Sequence, residues 1–158
     1  MIDELTILNL DTSRKRRIVI LLIASLFLCS CNLDTCSKRL GFTLSYYAFS
    51  SVKIDGSTYC ELVNQSLDGN EKAIINLSKV NVHDGAGYEH GAVLIEVIDR
   101  ISEEKYVGLL KDSFKTQDIG KVFAYLRAGL DFTDNPKYNR KKVEEAFPLL
   151  SKIVGPVS

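Results

Sequence analysis

Both histidines of the chain lie in one glycine-rich stretch, VNVHDGAGYEHGAVL, which runs from Val80 to Leu94. His83, Asp84, Glu89 and His90 are close together there. Imidazole and carboxylate groups can bind a divalent metal, and a histidine can act as a general base. A metal site or a small metal-dependent enzyme centred on these four residues is therefore one hypothesis for this chain.

The same stretch also fits a structural turn between two helices, which is the interpretation we favour. Asp84-Gly85 is a turn-forming pair, and Glu89 suits the positive end of a helix dipole. Adjacent residues of a helix point about 100° apart, so Glu89 and His90 cannot easily face one ion. Gly87 and Gly91 permit close contact with another helix.

No recognised catalytic motif accompanies these residues. The chain has no GxSxG nucleophile elbow, no glycine-rich phosphate loop, no HExxH pair and no Cys/His spacing typical of zinc. We therefore favour a protein without enzyme activity over the metal-dependent enzyme, and we expect no cofactor.

A short apolar run near the start carries a different signal. Arg14-Lys15-Arg16-Arg17 precedes the run Ile18–Leu28. Eleven or so apolar residues match the core of a secretory signal and fall short of the roughly 20 that a helix needs to span a bilayer. An uncleaved signal anchor and a buried helix are the alternatives.

The end of that run, Leu28-Cys29-Ser30-Cys31, resembles the lipobox of bacterial lipoproteins. The resemblance implies that Cys31 receives a diacylglyceryl group, that the chain is cleaved after Ser30 and that the new amino terminus is acylated. Two or more acyl chains anchor a protein stably, since each buried methylene contributes about 0.8 kcal/mol. In lipoprotein families with a sorting rule, aspartate after the anchor cysteine retains the protein in the inner membrane, so the resemblance implies that Asn32 favours the outer membrane, facing the periplasm.

The resemblance divides the chain into three parts. Residues 1–30 are a signal peptide, residues 31–40 are a polar tether and residues 41–158 are a single domain. Cys36 and Cys60 remain in the mature protein, where an oxidising compartment would allow a disulfide between them. Burial of Cys60 as a small apolar residue is the alternative.

The charge balance argues against nucleic acid as a partner. The chain has 20 Lys and Arg residues, 20 Asp and Glu residues and a formal net charge of zero. A nucleic-acid-binding domain usually carries a basic surplus.

Helical periodicity dominates the mature part. Thr58 and Glu61 have the spacing of a capping box, and residues 59–67, 71–80 and 88–101 repeat apolar residues at helical spacing. Ser102 and Asp118 are expected to cap the next two helices, and Gly129 is expected to end the second of them. Asn135-Pro136 should open a last helix, which Pro148 kinks or divides.

Residues 41–54 show apolar alternation instead. Phe42, Leu44, Tyr46 and Ala48 recur with period two, which predicts a strand. No partner strand is evident, so an extended arm packed on helices, or a helix, stays open. For the aromatic side chains Tyr46, Tyr47 and Phe49 we favour core packing over a contact patch.

The sequence thus predicts a mainly α protein of about six helices, either a small bundle or a short array of helical hairpins, with one extended N-terminal segment. We expect a membrane-anchored envelope lipoprotein that binds the bilayer through acylated Cys31 and a protein partner through its helices. Two alternatives to this function stay open. One is a small metal-binding protein or enzyme centred on His83, Asp84, Glu89 and His90, and the other is a purely structural envelope lipoprotein.

Overall fold

The computed structural model describes residues 32–154, with side chains from Thr35 onward. These residues form nine helices and one two-stranded ribbon around a single apolar core, so the mainly helical fold is confirmed. In chain order the elements are α1 (Asn32–Leu40), α2 (Tyr46–Phe49), β1 (Lys53–Ile54), β2 (Ser57–Thr58), α3 (Tyr59–Leu67), α4 (Glu71–Ser78), α5 (Ala86–Ile101), α6 (Glu103–Ser113), α7 (Thr116–Phe132), α8 (Val143–Ala146) and α9 (Pro148–Val154).

The first part of this pattern follows local sequence signals. Thr58 caps α3 as predicted: its side chain accepts from the Glu61 amide, and the Glu61 carboxylate accepts from the Thr58 amide. The chain then turns at Gly69 with φ of 82°, and the Asn70 side chain caps α4. Helices α3 and α4 therefore form a hairpin joined by a short turn.

The central helix is α5, which the apolar residues of 88–101 predicted. Its side chains from His90 to Leu94 are fully buried, because other elements cover it on several sides. Ser102 ends α5 and caps α6 through a hydrogen bond from the Lys105 amide, again as predicted.

Helices α5 and α7 cross at two glycines. A Cβ added at Gly91 would overlap the carbonyl oxygen of Tyr125 and lie 2.7 Å from the Gly129 nitrogen. The prediction that Gly129 ends its helix was wrong, since α7 continues to Phe132. Gly129 instead allows the backbones of α5 and α7 to approach each other closely. A short window of sequence cannot distinguish this role from that of a glycine that ends a helix.

Two other predicted helix starts differ from the structure. Helix α7 begins at Thr116, so Asp118 lies in its first turn and is not its cap. Asn135-Pro136 does not open a helix: the Asn135 side chain accepts from the Lys137 amide and donates to Glu96, which fixes a turn against α5.

The C-terminal helices are shorter than the predicted last helix. Helix α8 ends at Ala146, and α9 begins at Pro148, so the proline divides the predicted helix in two. The Glu103 carboxylate accepts from the Leu149 and Leu150 amides at 2.7 and 2.9 Å. The first backbone amides of a helix have no acceptor within the helix itself. The carboxylate of Glu103, from α6, is the acceptor for two of these amides in α9.

The predicted strand of residues 41–54 is mostly absent. Phe42 lies in a bend, residues 43–45 have no regular secondary structure, Tyr46–Phe49 form one helical turn, and only Lys53–Ile54 pair with Ser57–Thr58. The alternation fails because residues 42–49 have no partner strand. Of the alternatives that the sequence left open, an arm packed on helices describes residues 42–45 best, since Leu44 is buried.

Residues 32–40 also differ from the expected tether. They form α1, in which Cys36 and Leu40 are buried. A disulfide joins Cys36 to Cys60 of α3, with the two Cα atoms 5.5 Å apart, and Arg39 binds Asp68 at 2.6 Å. The domain therefore includes Leu33 onward, because an i, i+4 pair of small and apolar side chains docks α1 onto the core.

Candidate functional site

The glycine-rich stretch separates its two histidines. His83 and Asp84 are exposed in the turn before α5, where Asp84 has φ of 52°. Glu89 lies in the first turn of α5, and His90 follows on the buried side. Within residues 35–154, no cluster of three or more His, Cys, Asp or Glu side chains could hold a metal ion.

Glu89 already has a structural partner. Its carboxylate accepts from the backbone amide of Ser45 at 2.7 Å and from the Ser45 hydroxyl. These two bonds fasten segment 42–45 to the start of α5. Charge-assisted hydrogen bonds to a carboxylate are stronger than neutral ones, so Glu89 acts as a clamp for this segment.

His90 is fully buried and belongs to the core. Its Nδ1 shares a hydrogen bond of 2.8 Å with the Tyr59 hydroxyl, and its ring meets the Tyr125 ring edge to face at 4.9 Å. Burial lowers the pKa of His90 from 6.5 to about 3, so the imidazole is neutral near pH 7. Nε2 has no hydrogen-bond partner among the described residues.

These positions do not support the metal hypothesis. His83 and Asp84 face solvent, Glu89 binds Ser45, and His90 packs between two tyrosines. A common metal would need these side chains to converge on one point. The interpretation as a turn between helices agrees with this arrangement.

Tyr125 was missed by the sequence analysis although it organises this region. Its hydroxyl donates to the Val82 carbonyl at 3.0 Å and accepts from the Val82 amide at 3.1 Å. It thereby holds the turn before α5 against α7. Tyr125 lies three residues after Val122, on the apolar side of α7. From this spacing its inward orientation could have been predicted.

The exposed apolar side chains of the domain lie around one segment. Among the described residues, the large apolar side chains that are exposed are Tyr46 (63%), Tyr47 (94%), Tyr88 (47%) and Phe132 (42%). Phe42 contacts Phe132 edge to face at 6.1 Å, and Tyr88 precedes the clamp residue Glu89. We call Phe42, Tyr46, Tyr47, Tyr88 and Phe132 the aromatic surface.

Core packing was expected for Tyr46, Tyr47 and Phe49, and only one of the three is in the core. Phe49 packs in the core as expected, stacked on Tyr59 with ring centroids 4.2 Å apart. Tyr46 and Tyr47 instead point to solvent and contact each other edge to face. The reason is the single turn of α2, in which only one face of the helix can reach the core.

A cleft lies where three helices end or begin. Its volume is about 230 Å³, and it is lined by the ends of α4 and α6 and by the first half of α7. The charged side chains at this cleft are Lys79, Asp118 and Lys121, and Phe114 forms part of its wall beside the Lys79 ammonium group. Phe132 lies eleven residues beyond Lys121 on α7, about 16 Å along the helix axis.

The residues of the apolar run and Cys31 lie outside the described residues, so their predicted roles stay predictions. None of the helices between residues 32 and 154 combines the length and the apolar character that a membrane span needs. No protein-family model, curated protein or solved structure matches the chain.

Proposed function

We propose that this chain is a lipid-anchored protein of a bacterial envelope, held by acylated Cys31, whose helical domain binds a protein partner. The observation that carries the anchor is Leu28-Cys29-Ser30-Cys31 after four cations and a short apolar run. An acyl anchor needs no membrane-spanning helix.

The disulfide supports a location outside the cytoplasm. Disulfides persist in oxidising compartments such as the periplasm and are rare where thiols are kept reduced. Cys36 and Cys60 form such a bond within the domain. The outer membrane, facing the periplasm, is the location that we propose.

The anchor can be tested by replacing Cys31, with a replacement of Cys29 as the control. We expect Cys31→Ala to abolish incorporation of a palmitate analogue and to leave the protein in the aqueous phase after detergent partitioning. Cys29→Ala is the matched control, since alanine keeps a small residue there and the anchor thiol remains. Intact mass of the wild-type protein should show loss of residues 1–30 and a gain of acyl chains. An unmodified full-length chain in the cytosol would overturn the proposal.

The cleft at the ends of α4 and α6 supports binding of a protein. Interfaces concentrate their energy where a side chain of one partner enters a pocket of the other. A cleft of about 230 Å³ with lysines at its rim can accept such a side chain, and acidic residues on the partner would pair with Lys79 and Lys121.

Crosslinking in intact membranes tests this part. The wild-type protein should return one stoichiometric partner, and the Lys79→Glu/Lys121→Glu variant should return much less. Lys152→Glu, on the exposed side of α9, is the control and should leave recovery unchanged. Repeated recovery of no partner would contradict a binding role.

A further inference from the structure

The aromatic surface is connected to α1, the helix that follows the proposed anchor Cys31 in the chain. The backbone amide of Leu44 donates to the Ser37 hydroxyl at 3.1 Å, which joins segment 42–45 to α1 beside Cys36. Phe49 stacks on Tyr59, the neighbour of Cys60 in the chain. Leu44 and Phe49, which flank Tyr46 and Tyr47 in the chain, therefore each contact a residue next to a disulfide cysteine.

The chain between the anchor and the disulfide is short. Cys31 precedes Cys36 by five residues, and five residues span at most about 18 Å even when fully extended. The disulfide fixes Cys36 to α3. An acyl group on Cys31 would consequently keep this side of the domain within that distance of the lipid, so the domain could not move far from the bilayer.

The side chains on this side suit the interface between lipid and water. Tyrosine places an apolar ring in the lipid and keeps its hydroxyl in contact with water, and it is enriched at membrane interfaces. Tyr46 and Tyr47 are the most exposed members of the aromatic surface. Lys38 is exposed on the adjoining α1, where it can approach anionic headgroups.

The charge changes along the aromatic surface. Asp131 and Asp134 are exposed beside Phe132, and an anionic bilayer would repel them. Lys38 lies on α1, and Tyr46 and Tyr47 closely follow Leu44, which binds α1 through Ser37. The contact with lipid should therefore be centred on Tyr46 and Tyr47, with Phe132 at its edge.

We infer that the aromatic surface lies against the bilayer, with Tyr46 and Tyr47 in the headgroup region. This inference rests on the proposed lipid anchor and gives the anchored domain a fixed orientation. The start of α7, with Asp118 and Lys121 at the cleft, then remains available to a protein partner.

The chain contains no tryptophan, so one substitution supplies a unique fluorophore. The Tyr47→Trp variant is purified from membranes, its acylation is checked by intact mass, and it is placed in phosphatidylethanolamine and phosphatidylglycerol vesicles. Part of the lipid carries bromine atoms near the headgroups, which quench tryptophan emission on contact. Because tryptophan also prefers the membrane interface, we expect roughly half of the emission to be lost.

Glu104→Trp is the matched control. Glu104 is exposed in the first turn of α6, which follows the C-terminal end of α5. The aromatic surface adjoins the other end of α5, at Glu89, and Glu89 and Ile101 are about 18 Å apart along that helix. Its emission should stay close to the value in lipid without bromine. A domain that tumbles on its anchor would give equal quenching in the two variants.

The outcomes separate the inference from the proposed function. Acylated protein with equal quenching in both variants, or without quenching of Tyr47→Trp, overturns the orientation and leaves the anchor in place. Acylated protein in which Tyr47→Trp is not quenched would favour a protein as the occupant of the aromatic surface. Protein whose mass shows no acyl chain overturns the anchor, and the orientation with it.

Discussion

Two regions that share helix α5 are held in different ways. At the crossing of α5 and α7, Gly91 and Gly129 bring two backbones together, and His90 and Tyr125 fill the space beside them. At the aromatic surface, the Glu89 carboxylate holds Ser45, and Tyr46 and Tyr47, which follow Ser45 in α2, face solvent. The first region stabilises the fold, whereas the second presents apolar area that folding alone does not require.

The largest effect is expected at the glycine crossing. Gly91→Ala should lower the free energy of unfolding by about 3 kcal/mol or more, because the added methyl group would overlap the backbone of α7 at Tyr125. Urea denaturation followed by circular dichroism measures this loss.

Gly120→Ala on α7, the other helix of this crossing, is the matched control. A Cβ at Gly120 would meet nothing within 4 Å, so alanine should stabilise the protein by up to about 1 kcal/mol. Equal destabilisation by both substitutions would contradict the close crossing.

The second effect concerns pH and His90. Folding lowers the pKa of His90 from 6.5 to about 3, so the unfolded chain binds more protons between these values. His90 should therefore lower the free energy of unfolding on acidification through this window, by about 1.4 kcal/mol per pH unit at most. Carboxylates whose pKa is lowered in the folded state, such as Asp68 and Asp99, add to this slope in denaturation curves of the wild type.

Two variants isolate the contribution of His90 from that of the carboxylates. His90→Gln removes the buried imidazole and should reduce the slope, whereas His83→Gln, at the exposed histidine, should keep it. The same slope in the wild type and in His90→Gln would show that His90 is not buried as a neutral group.

An intermediate effect is expected where the two regions meet. Glu89→Gln keeps the size of the side chain but loses the charge that strengthens two hydrogen bonds from Ser45. We expect a loss of about 1 to 2 kcal/mol and faster hydrogen exchange at the Ser45 amide. Glu104→Gln, exposed on α6, should stay within about 0.5 kcal/mol of the wild type.

The smallest effect is expected at the aromatic surface itself. Tyr47 is 94% exposed, so Tyr47→Ser should change the free energy of unfolding by less than about 0.5 kcal/mol. Phe49→Ala, two residues away and buried against Tyr59, should cost about 3 kcal/mol or more. Similar losses in both variants would mean that Tyr47 packs into the fold.

Local signals were enough to predict several elements. The capping box at Thr58 and the serine cap at Ser102 depend on residues at most three positions apart, and the structure contains both. The helix over 88–101 followed from its periodicity for the same reason. Gly129, Asp118 and Asn135 were misassigned because their roles depend on a second helix or on a competing turn.

The sequence by itself determined the mainly helical class and the pattern of apolar faces, because helix formation depends on neighbours three and four residues apart. It also contained the lipobox-like run Leu28–Cys31, on which the proposed anchor rests. Only the tertiary structure decided that Cys36 meets Cys60, that Glu89 binds Ser45 and that His90 is buried. Those contacts join residues 24 or more positions apart, and their formation depends on how whole helices pack, which no short window of sequence specifies.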